Sequence, residues 1–237
     1  MALDPWTTPT ARADREMYGD VASRTDAATF IAKVYRWMAI GLGLTGLVAF
    51  ATASNPAVLR ALVLNRPVFF GLIIGELILV WAFSSVVRRA SFLTAAAMFL
   101  VYCALSGVTF SVIFLVYTRE SIASTFFITG GVFGAMSAYG TLTKKDLSSW
   151  GSFLMMGLIG VIIAGVVNIF LRSSAMSFVI SCAAVVVFTG LTAWDTQKIR
   201  QVANEGDDRL ALQGALMLYL DFVNLFLALL NLLGRRR

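Results

Sequence analysis

The chain has 237 residues, of which 59% are apolar and only 14% charged, so an ordinary water-soluble domain is excluded. Its formal net charge of +6 is spread over short basic runs between apolar segments. That pattern suits loops at a membrane surface, not the continuous basic face that nucleic-acid binding requires.

Residues 1–28 carry both signs of charge and no short apolar run ending in a cleavage site, so they read as a flexible polar tail. The first apolar segment then acts as an uncleaved anchor, and residues 29–237 form one membrane domain. Crossing the hydrocarbon core takes about 20 mostly apolar residues in a helix. By that measure the spans fall near Val34–Ala53, Pro67–Val87, Phe92–Tyr117, Ile122–Leu142, Trp150–Leu171, Met176–Trp194 and Leu210–Leu233. The runs are too long, and too uniformly apolar, for the alternating strands of a membrane barrel. The fold class is therefore all-α and polytopic, a seven-transmembrane-helix bundle.

Basic residues set the orientation. The first side holds Arg12, Arg15, Arg24, Lys33 and Arg36, then Arg88 and Arg89, Lys144 and Lys145, and finally Lys198, Arg200 and Arg209. The second side holds Arg60, Arg66, Arg119 and Arg172. The excess predicts a cytoplasmic first side and a cytoplasmic N-terminal tail. Seven full spans leave Arg235, Arg236 and Arg237 on the outer side, against the rule, whereas a re-entrant last segment returns them inward. Gly130, Gly134 and Ala138, with Gly131 and Ala135 beside them, form small-residue stripes that predict close helix packing. Glycine as ordinary membrane-helix composition is the alternative.

Most acids lie in the tail or loops, which leaves Glu76, Asp195 and Asp221 inside apolar runs. A charge there costs at least about 2.5–3.5 kcal/mol, so such residues point to function. Asp221 sits near the middle of the last span. With Gln213, Asn224 and Asn231 it predicts a polar stripe aimed at the bundle interior, which places the last helix at the centre. A protonated aspartic acid bonded to a neighbouring helix is the structural alternative. Asp195 ends the sixth span, where the helix dipole disfavours a carboxylate; a half-solvated helix end is its alternative. Glu76 is either a partner of an adjacent helix or part of an ion path, to which Asn224 is a second candidate contributor. If Asp195 and Asp221 meet, they compete for protons as a coupled pair. Two carboxyls are also the hard oxygen ligands that calcium prefers, so the same two residues form the candidate metal site.

The strings Gly190-Leu-Thr-Ala-Trp-Asp195-Thr-Gln-Lys-Ile199 and Gly214-Ala-Leu-Met-Leu-Tyr-Leu-Asp221-Phe-Val-Asn224-Leu-Phe226 resemble the closing signatures of the Bax inhibitor-1 (TMBIM, YccA-like) family, its bacterial members above all. Tyr35-Arg-Trp-Met38, Leu105-Ser-Gly107 and Lys144-Lys-Asp-Leu-Ser148 extend the similarity, which begins near Ala28. Trp194 stands where the family commonly has tyrosine, a packing change. The resemblance implies a central last helix wrapped by the other six, in a multi-pass protein of the bacterial inner membrane. It further implies a pH-sensitive calcium leak with Asp195 and Asp221 as a di-aspartyl sensor, and Arg88 or Arg89 as a latch on one aspartate.

Three functional classes follow. The first is a leak through which calcium and protons act, with no tightly bound cofactor and the lipid bilayer as surroundings. The second is a non-transporting regulator of a membrane-bound protease, which the resemblance to YccA-like proteins also implies. The third is enzymatic, and the residues speak against it. Neither aspartate lies in the Gly-x-Gly-Asp context of an intramembrane protease, and the last span has no lysine for a retinal Schiff base.

Overall fold

The computed structural model describes the backbone of residues 9–203 and 206–237, and side chains for 27–203 and 206–237. Seven long helices follow one another: α1 (Pro9–Ser54), α2 (Arg66–Val86), α3 (Phe92–Phe110), α4 (Arg119–Leu142), α5 (Ser148–Leu171), α6 (Ser174–Val202) and α7 (Asp208–Leu233). Each contains a stretch apolar and long enough to cross a membrane, and a short helical turn at Ile113–Val116 prolongs the third. Among the described residues the one β-type pairing is an isolated antiparallel bridge between Tyr117 and Arg236. The seven spans read from the sequence are all present. The tail reading is met by a helix that begins at Pro9, while residues 1–8 lie outside the described residues, as do the side chains of Arg12, Arg15 and Arg24.

Polar residues punctuate the apolar runs. Ser91, Thr118 and Ser173 each turn a hydroxyl onto a backbone N–H two or three residues inside the next helix, at 3.1, 3.3 and 3.2 Å. These caps satisfy donors that have no partner within the helix, and each fixes where a span begins. Asp207 does the same for α7, accepting from Arg209 N at 2.8 Å. The Arg209 guanidinium grips the Asp207 carboxylate and reaches on to the backbone carbonyls of Arg88 and Ala90, so the start of α7 is clamped to the end of α2.

The Arg209 bonds hold the Asp207 carboxyl below its usual range. A depressed folded-state value stabilises the fold above the unfolded value, and that stability is lost as pH falls through the folded one. Thermal unfolding of purified protein between pH 7 and 3 is therefore expected to show an acid-side loss, below about pH 4, that is smaller in Asp207→Asn.

The core sits around α7. Of its apolar window 56% is buried, against 6% for α2 and for α5, which makes α7 the centre and the other two the rim. It packs against α1, α3, α4 and α6, while α2 leans on α3 and α5 on α6. Four helices wrap the last one directly, not six, because α3 and α6 stand between it and the rim. α1–α3 and α4–α6 thus form two similar triplets on either side of α7.

Close backbone approach within the triplets depends on glycine at two sites. A Cβ on Gly107 of α3 would come within 2.7 Å of Val48 Cβ and 2.8 Å of Thr45 O on α1. One on Gly140 of α4 would collide with the Ala193 carbonyl of α6. The stripe expected to do this packing does not: a Cβ at Gly130, Gly131 or Gly134 meets nothing within 4 Å. That face of α4 is open, so its small residues are spared a packing role.

The two ends of the bundle are well separated. Lys33 pairs with Asp208, and Gln197 Nε2 donates to Lys145 O at 2.9 Å, which gathers the start of the α1 span, the starts of α5 and α7 and the end of α6 on the first side. At the other end Thr118 N donates to Arg235 O at 3.1 Å and Arg237 N to Val116 O at 2.9 Å. The last helix therefore runs the full depth, and Gly234–Arg237 lies with Arg119 on the second side. The re-entrant alternative is excluded.

A buried carboxyl pair as the candidate functional site

α6 and α7 run antiparallel and meet along a long seam. Asp195 projects from α6 and Asp221 from α7, and their carboxyl groups lie in hydrogen-bonding contact across it. Asp195 is 6% exposed and Asp221 4%, so water does not solvate the pair freely. Asp195 Oδ1 and Asp221 Oδ2 are both buried without a hydrogen-bond partner among the described residues. Carboxylate oxygens only accept, so two carboxyls bond to each other only when a proton lies between them. Two bare charges at about 4 Å repel by roughly 4 kcal/mol at an effective dielectric of 20. The geometry therefore suits one shared proton, or a cation in its place.

Asp195 is not at a helix end. α6 continues two turns beyond it to Val202, so the expected conflict with the helix dipole largely disappears. The polar continuation Thr196-Gln-Lys-Ile-Arg200 carries the helix past the apolar run. The neighbouring hydroxyls bond first to their own helix, and Thr196 Oγ1 also reaches Ser137 Oγ of α4 at 3.4 Å. Thr192 Oγ1 donates to Phe188 O at 2.8 Å and Thr196 Oγ1 to Thr192 O at 2.7 Å.

The polar stripe of α7 is displaced from where the sequence put it. Gln213, Asn224 and Asn231 occupy, with Met217, Leu220 and Leu227, the half-exposed flank of an otherwise buried helix. Asp221 faces inward one strip further round. Asn224 and Asn231 tolerate that flank because their amides are satisfied: Asn224 Nδ2 donates to Leu220 O at 2.8 Å, and Asn231 Nδ2 to Ser181 Oγ of α6 at 2.7 Å. Asn224 is thus turned onto its own backbone.

A cavity of about 140 Å³ lies about one helical turn from the pair toward the first side, and neither aspartate lines it. Ile199 and Val202 line it one and two turns beyond Asp195, and Met217 and Gly214 one and two turns before Asp221. Lys198, Arg88 and Gln213 supply its polar wall. Lys198 is the cation near enough to act electrostatically on Asp195, and its ammonium rests 4.9 Å from the centre of the Trp194 ring. Trp194 in turn fills the space left by Gly151 of α5. Arg88 is at the cavity wall and Arg89 is exposed; among the described residues neither pairs with an aspartate. No latch is closed in this arrangement. Lys198 went unnoticed in the sequence because it read as one more basic residue marking a loop; its i+3 spacing from Asp195 was the available signal.

Glu76 belongs to a different cluster. It accepts from Thr109 Oγ1 at 2.8 Å and lies within electrostatic reach of Tyr102. The Tyr102 ring stands edge-on to that of Tyr219, centroids 5.8 Å apart. Tyr219 OH and Thr45 Oγ1 are 2.8 Å apart, and Thr45 Oγ1 donates to Cys103 O at 2.8 Å. Ser106 Oγ lies near both tyrosines without closing a hydrogen bond of normal geometry. This polar network joins α2, α3, α1 and the back of α7. Its tyrosines and Thr45 had no distinctive sequence signal. Among the described residues no third acidic, histidine or cysteine side chain joins Asp195 and Asp221. Calcium takes about six to eight oxygen ligands, so the pair suits a passing, still hydrated ion better than a resident one.

Seven spanning helices around a buried inter-helix carboxyl pair define a polytopic helical membrane protein with an ionisable centre. Comparison with known proteins places it further: the family model described as inhibitor of apoptosis-promoting Bax1 matches residues 27–237, and the chain belongs to the Bax inhibitor-1 family. It is 46% identical over 224 residues to the inner membrane protein YbhL of Escherichia coli K12, covering 92% of this chain and 96% of the relative. An uncharacterized protein of Borreliella burgdorferi is 47% identical over 214 residues, covering 88% and 92%. An uncharacterized membrane protein of Streptococcus pyogenes is 39% identical over 215 residues, covering 87% and 92%.

Proposed function

We propose that the chain is a proton-controlled cation leak of the bacterial inner membrane, with calcium as the permeating ion and Asp195 and Asp221 as its sensor. The observation that carries this reading is the contact between two buried carboxyls about one helical turn from a cavity that Lys198 and Arg88 help to line. With a proton between them the pair holds α6 and α7 together. As pH rises the proton leaves, and two facing carboxylates repel one another and attract a cation. Calcium entering from the cavity then replaces the proton. Lys198 and Arg88 stand at that approach, where their positive charge restrains cation entry until one of them pairs with a freed aspartate. Inner-membrane placement rests on the likeness to YbhL, and a cytoplasmic first side rests on its excess of basic residues.

The test is calcium flux into liposomes that contain the purified protein alone, measured from pH 6 to 8. Flux that rises with pH is expected. Absence of flux at every pH from a folded protein would overturn the reading and favour a non-transporting regulator.

A further inference from the structure

At the second side, far from the carboxyl pair, α5, α6 and the Gly234–Arg237 stretch enclose an open cup of about 370 Å³. Arg172 and Arg236 both line it, together with Asn168, Asn231, Ser174 and Ser177. Arg172 ends α5 in the left-handed backbone region (φ 52°), a turn that throws the chain back into α6. Among the described residues its side chain has no ion pair or hydrogen bond. Arg236 is positioned from the other wall. The bridge to Tyr117 fixes its backbone, and its Nη2 donates to Asn231 Oδ1 at 3.1 Å. Asn231 is itself held by Ser181 at 2.7 Å, and Asn168 by Ser177 at 2.7 Å. α6 begins at Ser174, so its first backbone N–H groups and the positive end of its dipole border the same cup. No acidic residue lines it. The rim is greasy: Ile169 and Phe178, which line it, are 65% and 60% exposed.

Two arginines, a helix start and fixed amides without a counter-charge are the donor set for a phosphate, and an apolar rim at the membrane surface suits the acyl chains attached to one. We propose that this cup binds a phosphate group at the second side, supplied by an anionic phospholipid headgroup or by free phosphate. It also gives a reason for basic residues on the side where the orientation rule disfavours them. The Arg235–Arg237 run is docked there by backbone bonds, and one of its guanidinium groups faces the cup.

The experiment measures ligands retained by the full chain in detergent, by native mass spectrometry, after equilibration with phosphatidylglycerol, phosphatidylcholine or inorganic phosphate. Arg172→Asn suits the left-handed position while removing the charge, and Arg236→Gln removes the second. Arg237→Gln, next to the cup in sequence but not lining it, is the control. A preference of roughly tenfold for phosphatidylglycerol over phosphatidylcholine is expected, lost in the Arg172→Asn/Arg236→Gln pair and kept in Arg237→Gln. Binding of inorganic phosphate with the same dependence on the two arginines would support the site and assign it to free phosphate. Equal retention of both lipids with no phosphate binding, or a preference unchanged by the paired substitution, would overturn the proposal.

Discussion

Asp221→Asn is expected to remove most of the pH dependence of calcium flux while leaving expression and helix content intact. Release of one proton lets flux rise by up to about tenfold per pH unit on the titrating limb of the wild-type curve. Asparagine keeps the size of the side chain and cannot exchange that proton, so the variant curve should vary by less than about twofold over the same range. Asp195→Asn leaves Asp221, the more enclosed of the two, as a single titrating group and is expected to move the midpoint. Both side chains lie within the α6–α7 seam and neither bonds the backbone of another helix, so the substitutions remove charge without removing a packing contact. Wild-type curves from both variants would separate the aspartates from whatever gates the flux.

Gly140→Ala is expected to be the most damaging single-methyl change outside the aspartates. The added Cβ meets the Ala193 carbonyl, a backbone atom of a helix that cannot rotate aside, two residues before Asp195. Forcing α4 away from α6 should cost about 3 kcal/mol and lower the unfolding temperature by roughly 5–10 °C. Because α6 carries Asp195, the displacement should also weaken the carboxyl contact. Gly134→Ala, six residues earlier on the same helix, meets open space and removes a flexible residue, so it should be neutral or stabilising by up to about 1 kcal/mol. Equal effects of the two would contradict the assigned helix contacts. Thermal unfolding in one detergent decides between them.

This contrast shows what the sequence could and could not convey. Apolar length reports the membrane, so all seven spans were legible, as was the oddity of a mid-span Asp221 that places α7 at the centre. Apolar length does not report where a helix stops. α6 runs on through Thr196, Gln197, Lys198 and Arg200 as polar helix, so the end of the apolar run at Asp195 is not the end of the helix. Small-residue spacing likewise marks a stripe without saying which face is occupied, so it points to Gly130 and Gly134, while the close approaches fall at Gly140 and Gly107. Helical periodicity grouped Asp221 with Asn224 and Asn231, yet an angular offset of less than a quarter-turn separates a buried acid from amides on the open flank. Lys198 was counted as a topological charge and not as the electrostatic neighbour of Asp195. The Tyr219–Thr45 bond depends on the register of three helices, and no linear pattern encodes it.

The arrangement of α2 and α5 at the rim bears on mechanism as well. Neither packs along the length of α7, so the α6–α7 seam is the natural place for a small rearrangement, and α2 is joined to α7 at its start through the Arg209 bonds to Arg88 and Ala90. Arg88 is carried by the end of α2, which the Asp207–Arg209 clamp ties to the start of α7. A shift of α7 therefore moves the cavity wall along with Asp221.

The proposed sharing of a proton by Asp195 and Asp221 is open to direct test by infrared spectroscopy of the protonated-carboxyl stretch across a pH titration. The expected result is a contribution that fades as pH rises, is altered in each single asparagine variant and is missing from Asp195→Asn/Asp221→Asn. An identical titration in the wild type and the double variant would mean that no proton is held between the two aspartates.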